Sequence, residues 1–80
     1  MKKLFNWFLA EGFVVNDDFD KEIRASRSVV AIRVKKLYNG YWVIIRQVEN
    51  DGSGSISEFP CKTVEDVTSG LINRCVIYQS

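Results

Sequence analysis

Two strand-like runs separated by Asn39-Gly40 constrain the fold of this chain more than any other feature. The runs cover residues 29–38 and 41–48, and both are rich in β-branched and aromatic side chains. Asn-Gly between such runs is a strong β-hairpin signal, because a type I′ turn needs a positive φ at both central residues. The sequence therefore predicts two antiparallel strands joined by a two-residue turn at Asn39-Gly40.

A two-residue turn also fixes the register, and with it the two faces of the hairpin. The expected pairs are Tyr38 with Tyr41, Leu37 with Trp42, Lys35 with Ile44, and Arg33 with Arg46. We expect helices to cover the more apolar face, which holds Val30, Ile32, Val34, Tyr38, Tyr41, Val43 and Ile45. The other face is predicted to be open and holds Val29, Ala31, Arg33, Lys35, Leu37, Trp42, Ile44, Arg46 and Val48.

Two segments on either side of the hairpin have helical periodicity. Residues 2–11 present Leu4, Phe5, Phe8 and Leu9 on one side, and Gly12 suits the position after the helix end. A membrane-surface role for this helix is a weaker alternative, because so few residues bury little area. Thr63 suits the N-cap of a second helix, whose core side would carry Val64, Val67 and Leu71.

The remaining segments predict further strands. Residues 56–59 read as a strand stopped by Pro60, and residues 74–78 as a final strand. Residues 13–15 could be a short extended piece, and residues 16–18 resemble a turn or a helix N-cap. Residues 19–25 allow either a short helix or a strand, so the conformation of residues 13–27 stays open. The eighty residues predict a single domain, 1–80. We expect a small two-layer α+β domain with an antiparallel sheet of three to four strands and two helices on one face. The expected strand order is last-first-second-third.

Charge is unevenly distributed along the chain. Residues 23–48 contain six cations and no acid, although the net charge of the chain is only +1. The six cations are Arg24, Arg27, Arg33, Lys35, Lys36 and Arg46. Acids precede and follow this zone, so the sequence predicts charged patches rather than a field that would hold a polyanion.

The residue types needed for catalysis are mostly missing. The chain has no histidine, which is the usual general base near pH 7 and a common metal ligand. Cys61 and Cys75 are too few for a structural zinc site, although one disulfide between them is possible. The carboxylates at residues 17–22 match no calcium loop and are better explained as helix-start acids. We expect no enzymatic activity, no cofactor and no metal.

These observations favour a small non-enzymatic binding protein that docks on a protein or nucleoprotein. Its profile suits a cytoplasmic inhibitor or modulator of host machinery, of the viral or mobile-element anti-defence type. Trp, Tyr and Arg dominate binding hot spots. The predicted partner-binding residues are Arg33, Lys35, Leu37, Tyr41, Trp42, Ile44 and Arg46.

Two alternatives remain open. A basic-aromatic sheet face with Trp42 as a stacking platform could bind single-stranded nucleic acid. Alternatively, an exposed edge at residues 76–78 could pair with a second copy, so that the protein is a monomer or a homodimer. We expect no membrane insertion, because no segment approaches the roughly 20 apolar residues that span a bilayer.

Overall fold

The described part of the chain forms one antiparallel sheet with two helices against it. The computed structural model describes residues 2–18, 21–48 and 51–74. Its elements are α1 (Lys2–Ala10), β1 (Val14–Asp18), β2 (Glu22–Arg27), β3 (Val30–Leu37), β4 (Gly40–Val48), β5 (Gly54–Cys61) and α2 (Val64–Asn73). Each strand pairs with the next, giving the order β1-β2-β3-β4-β5. The predicted α+β class is confirmed.

The prediction of three to four strands is too low, because residues 13–27 supply two strands. Ile23 and Ala25 of β2 are buried while Arg24 and Ser26 are exposed, which is the alternation of a strand with one covered face. The predicted strand order is also wrong, since β2 occupies the place beside β3 that was expected for the last strand. Residues 75–78 of that predicted strand lie outside the described residues.

The turn and register predicted for β3 and β4 need correction. Leu37 pairs with Gly40, so the connection is Tyr38-Asn39 rather than Asn39-Gly40. Neither connecting residue has a positive φ. The observed pairs are Lys35 with Trp42, Arg33 with Ile44, and Ala31 with Arg46. The register therefore differs by two residues from the expected one. Because side chains alternate with a period of two, the predicted members that lie within β3 and β4 keep their faces. Val29 and Tyr38 lie outside both strands, and Tyr38 is fully exposed rather than covered.

Both helices cover the same sheet face, as predicted. Val34 and Val43 pair with each other and are fully buried, and so are Phe8 of α1 and Leu71 of α2. The core cluster of the described residues is Leu4, Phe8, Phe13, Ile23, Ala25, Ile32, Val34, Val43, Ile45, Phe59, Cys61, Val67 and Leu71. Burying this many apolar side chains is the main source of stability for so small a domain.

Gly12 ends α1 as the sequence predicts. It has a φ of 85°, and its N–H bonds the Leu9 carbonyl while the Phe13 N–H bonds the Phe8 carbonyl. This is a Schellman motif, and the rings of Phe8 and Phe13 supply its apolar contact with centroids 5.4 Å apart. Arg27 of β2 then bonds the Glu11 carbonyl and covers the Phe13 ring, so the end of α1 is fixed to the sheet.

The second helix begins and packs as predicted. The Asp66 N–H donates to the hydroxyl of Thr63 at 3.1 Å, and Val67 and Leu71 face the core. The strand before it does not stop at Pro60 but continues to Cys61. Pro60 is tolerated there because β5 pairs only with β4 among the described strands, and an edge strand can lack an N–H.

Candidate docking surface on the open sheet face

The sheet face opposite α1 and α2, called the open face below, is covered by no helix in the described part of the chain. Strand alternation determines which side chains it carries. From β1 to β5 these belong to Val14, Asn16, Asp18, Glu22, Arg24, Ser26, Ala31, Arg33, Lys35, Leu37, Trp42, Ile44, Arg46, Val48, Ile56, Glu58 and Pro60.

The open face brings together six of the seven predicted partner-binding residues, namely Arg33, Lys35, Leu37, Trp42, Ile44 and Arg46. Tyr41 is the exception. Its side chain lies on the opposite face and packs against the core, because it sits one residue out of phase with Trp42. Tyr41 therefore does not belong to the candidate surface. The pairing of Arg33 with Arg46 was wrong, although both lie on this face.

Apolar side chains occupy the β4–β5 half of the open face. Trp42 and Ile44 of β4 are each half-buried, while Ile56 of β5 is 62% exposed and Val48 is 45% exposed. Ile56 lies directly opposite Arg46 on the neighbouring strand. Contiguous exposed apolar area of this kind is typical of interaction surfaces.

Glu22, one of the carboxylates expected at a helix start, instead lies on β2 and organises the cations of β2 and β3. Arg24 and Arg33 are directly opposite each other, an arrangement that is unfavourable without an acid nearby. Glu22 supplies that acid and is only 8% exposed. Its Oε1 accepts from Arg33 Nε at 2.8 Å and lies 2.7 Å from Arg33 Nη2, while its Oε2 accepts from Arg24 Nε at 3.3 Å.

Trp42 is oriented by a second carboxylate. Its indole Nε1 donates to Glu58 Oε1 on β5 at 3.1 Å. This hydrogen bond fixes the ring across the boundary between β4 and β5. An aromatic side chain held in one orientation loses less conformational entropy on binding than a mobile one.

Lys35 and Arg46 are the cations of the open face that remain available. Within the described residues, neither side chain forms an ion pair or a hydrogen bond. Lys35 is beside Trp42, and Arg46 lies two residues beyond Ile44. Each end of the apolar centre therefore carries one solvent-exposed positive charge.

Glu22, Ile56, Glu58 and Pro60 are open-face residues that the sequence analysis missed. One sequence signal could have placed Ile56, Glu58 and Pro60 on the open face. Phe59 and Cys61 are both apolar and lie two residues apart, as expected for the covered face of a strand. The residues that alternate with them then lie on the opposite face. The sequence around Glu22 does not indicate that it binds two arginines. Arg33 is distant along the chain and reaches Glu22 only because β2 pairs with β3.

A separate groove of about 800 Å³ lies between α2 and the end of the sheet. Phe59, Cys61, Gly70 and Arg74 are among its lining residues. Burial raises the pKa of the Cys61 thiol, and nearby Asp66 adds to this effect. The thiol is therefore protonated at neutral pH and is a poor nucleophile. Cys75, its possible disulfide partner, lies outside the described residues.

Among the described residues, no group of three or more acidic or cysteine side chains is placed to hold a metal ion. Asp17 and Asp18, expected at a helix start, instead end β1. No helix of the described residues is both long enough and apolar enough to cross a bilayer.

Comparisons with protein-family models, with curated proteins and with solved structures find no match for this chain.

Proposed function

We propose that this chain is a small non-enzymatic binding protein that docks on a protein partner through the open face. The observation that carries the proposal is the oriented Trp42 beside Ile44, on a sheet face that no described helix covers. A domain this small gains stability by burying apolar side chains. Ile56 and Val48 stay exposed on the same face, and this is better explained by a partner that covers them than by folding alone.

Binding energy at such a surface is expected to concentrate in a few residues. Trp and Arg are enriched at binding hot spots, where a large side chain is desolvated by the partner. Trp42 and Arg46 combine these residue types with accessible positions. Arg33 is held by Glu22, so it offers a fixed guanidinium with a side chain that is 48% exposed.

The charge balance of the open face supports a protein partner over a nucleic acid. Its described strands carry four cations (Arg24, Arg33, Lys35 and Arg46) and three acids (Asp18, Glu22 and Glu58). A surface that tracks phosphates needs an excess of cations, and carboxylates among them repel the backbone. A single-stranded oligonucleotide is therefore expected not to bind, even at low salt.

We propose that the partner belongs to the machinery of a host cell. A compact domain with one docking face suits an inhibitor or modulator of host machinery, as in viral or mobile-element anti-defence proteins. Such a protein acts by covering a functional surface of its target and needs no chemistry of its own. Its place of action would then be the cytoplasm, where that machinery works.

The test compares Trp42→Ala with Tyr38→Ala in affinity capture from a lysate of the cell in which the protein occurs. Tyr38 is fully exposed at the β3–β4 connection and lies outside the strands that form the open face, so its loss controls for removal of an aromatic side chain. Quantitative mass spectrometry should show a protein that the wild type and Tyr38→Ala retain and Trp42→Ala loses. Equal recovery by a folded Trp42→Ala variant would refute the proposal.

A further inference from the structure

We infer that, when no other partner is bound, a second copy of this chain covers the open face and forms a face-to-face homodimer. The inference rests on the proposed function in that it uses the same docking surface. It goes beyond that function because the residues of the open face indicate which molecule binds there. Those residues are self-complementary, since the side chains on β3 of one copy match the side chains on β5 of another when the two β4 strands face each other.

The sheet register sets the geometry of the dimer. Consider a two-fold axis that runs parallel to β4 and lies between two facing sheets about 10 Å apart. Rotation about this axis places β3 of one copy over β5 of the other, while β4 lies over β4. A symmetric dimer needs contacts of this reciprocal kind. Strands that run in nearly the same direction also match the aligned packing of β-sandwiches.

Opposite charges meet in this arrangement. Arg33, Ile44 and Glu58 occupy one row across β3, β4 and β5. The rotation therefore places Arg33 over Glu58 of the second copy, twice per dimer, and Ile44 over Ile44 on the axis. The same pairing would not arise from a two-fold axis perpendicular to the strands through this row, which places Arg33 over Arg33.

Side-chain size is complementary in the neighbouring row. Ala31, Arg46 and Ile56 lie side by side on β3, β4 and β5. The exposed Ile56 of one copy therefore faces the small Ala31 of the other, where there is room for it. Val48 continues the apolar contact along the axis.

The arrangement has one unfavourable contact, because Arg46 faces Arg46 across the axis. The open face is also small: three strands spaced 4.8 Å apart and about 25 Å long give a projected area of roughly 350 Å². A standard interface buries about 800 Å² per partner. We therefore expect weak association, in the micromolar range, which allows a tighter-binding partner to displace the second copy.

The experiment is sedimentation velocity of the full chain from about 5 to about 500 µM, a range that spans micromolar association. The mass should rise with concentration from 9.2 kDa towards twice that value. Ile56→Lys on the open face should weaken association about tenfold or more, because two further positive charges would lie beside the facing Arg46 side chains. Ser57→Lys, on the next residue and the opposite face, should behave like the wild type.

Arg46→Gln provides a second variant with the opposite expected effect. Removing the repulsion across the axis should tighten association about threefold. A wild type that stays monomeric to the highest concentration would overturn the inference, and so would a dimer that Ile56→Lys leaves intact. Monomeric wild type with partner capture intact would leave the proposed function standing. A dimer that behaves as expected, with no Trp42-dependent capture, would refute the proposed function alone.

Discussion

Gly40 faces the backbone of the neighbouring strand, and this contact explains why the residue is glycine. A Cβ at this position would clash with the carbonyl oxygen of Cys61 on β5. Its φ is not positive, so the left-handed conformation expected of an Asn-Gly turn is absent. Asn39-Gly40 therefore lies at the connection between β3 and β4, but glycine is needed there for close strand packing and not for a positive φ.

Substitutions at the two residues separate these explanations. Gly40→Ala should lower the free energy of unfolding by about 1–3 kcal/mol, because the methyl group forces β4 away from β5. Asn39→Ala should cost less than about 0.5 kcal/mol, since its φ is already negative. Urea denaturation followed by circular dichroism measures both. A comparable loss for Asn39→Ala would instead support the type I′ turn.

Glu22 is the residue on which the arrangement of the open-face arginines depends. Its nearly buried carboxylate binds Arg24 and Arg33, which would otherwise repel each other across the strands. A carboxylate removed from water is tolerated when hydrogen bonds and opposite charges satisfy it. Glu22 thus converts two facing cations into a fixed group.

Glu22→Gln should lower the free energy of unfolding by about 1–2 kcal/mol, because the arginines lose the charge that holds them together. Both arginines are about half exposed, so water compensates for part of the loss. Glu58→Gln is the matched control. Its carboxylate is exposed and bonds only Trp42 among described contacts, so the cost should stay below about 0.5 kcal/mol. Equal costs in thermal denaturation would contradict this role of Glu22.

At the scale of elements, α2 packs closely on β5 through Gly70. A Cβ there would lie 2.7 Å from Cε2 of Phe59. The ring has little freedom to move away, because it is buried and the Arg74 guanidinium stacks on it with its carbon 3.9 Å from the ring centroid. Glycine normally disfavours a helix interior, but at position 70 it is a packing requirement of the helix–sheet contact.

Gly70→Ala should change the free energy of unfolding in the opposite direction from most Gly→Ala substitutions in helices. In a helix interior, alanine normally stabilises relative to glycine by about 1 kcal/mol. Here we expect a net loss of about 1 kcal/mol or more, because overpacking against Phe59 outweighs the helix propensity. Ser69→Ala, on the exposed neighbour, should be neutral or slightly stabilising. Chemical denaturation of the two variants provides the measurement, and a stabilised Gly70→Ala would disprove the close contact.

The elements show what could be predicted from the sequence and what could not. The helix ends at Gly12 and Thr63 were predictable because capping depends on local residues. The faces of the residues within β3 and β4 were also predicted correctly, since a two-residue error in register leaves the alternation unchanged. Residues 13–18 were harder, because Asn16 and the aspartates that follow it resemble a turn. Only pairing with β2 makes that segment a strand.

At the scale of the whole molecule, folding redistributes the charge that the sequence separates. The cationic zone at residues 23–48 is free of acids along the chain, but Glu22 on β2 and Glu58 on β5 lie across from its strands. Two of the six cations, Arg27 and Lys36, turn to the helix-covered face. The open face is therefore a mixed surface around an apolar centre, which cross-strand pairing alone reveals.

The most direct test of docking through the open face compares Lys35→Glu with Lys36→Glu. The two lysines are adjacent and exposed but lie on opposite faces of β3, so the charge change and the strand are matched. In quantitative affinity capture, Lys36→Glu should retain the wild-type partner, and Lys35→Glu should lose it because the charge beside Trp42 is reversed. Equal retention, or equal loss, by the two folded variants would contradict docking through the open face.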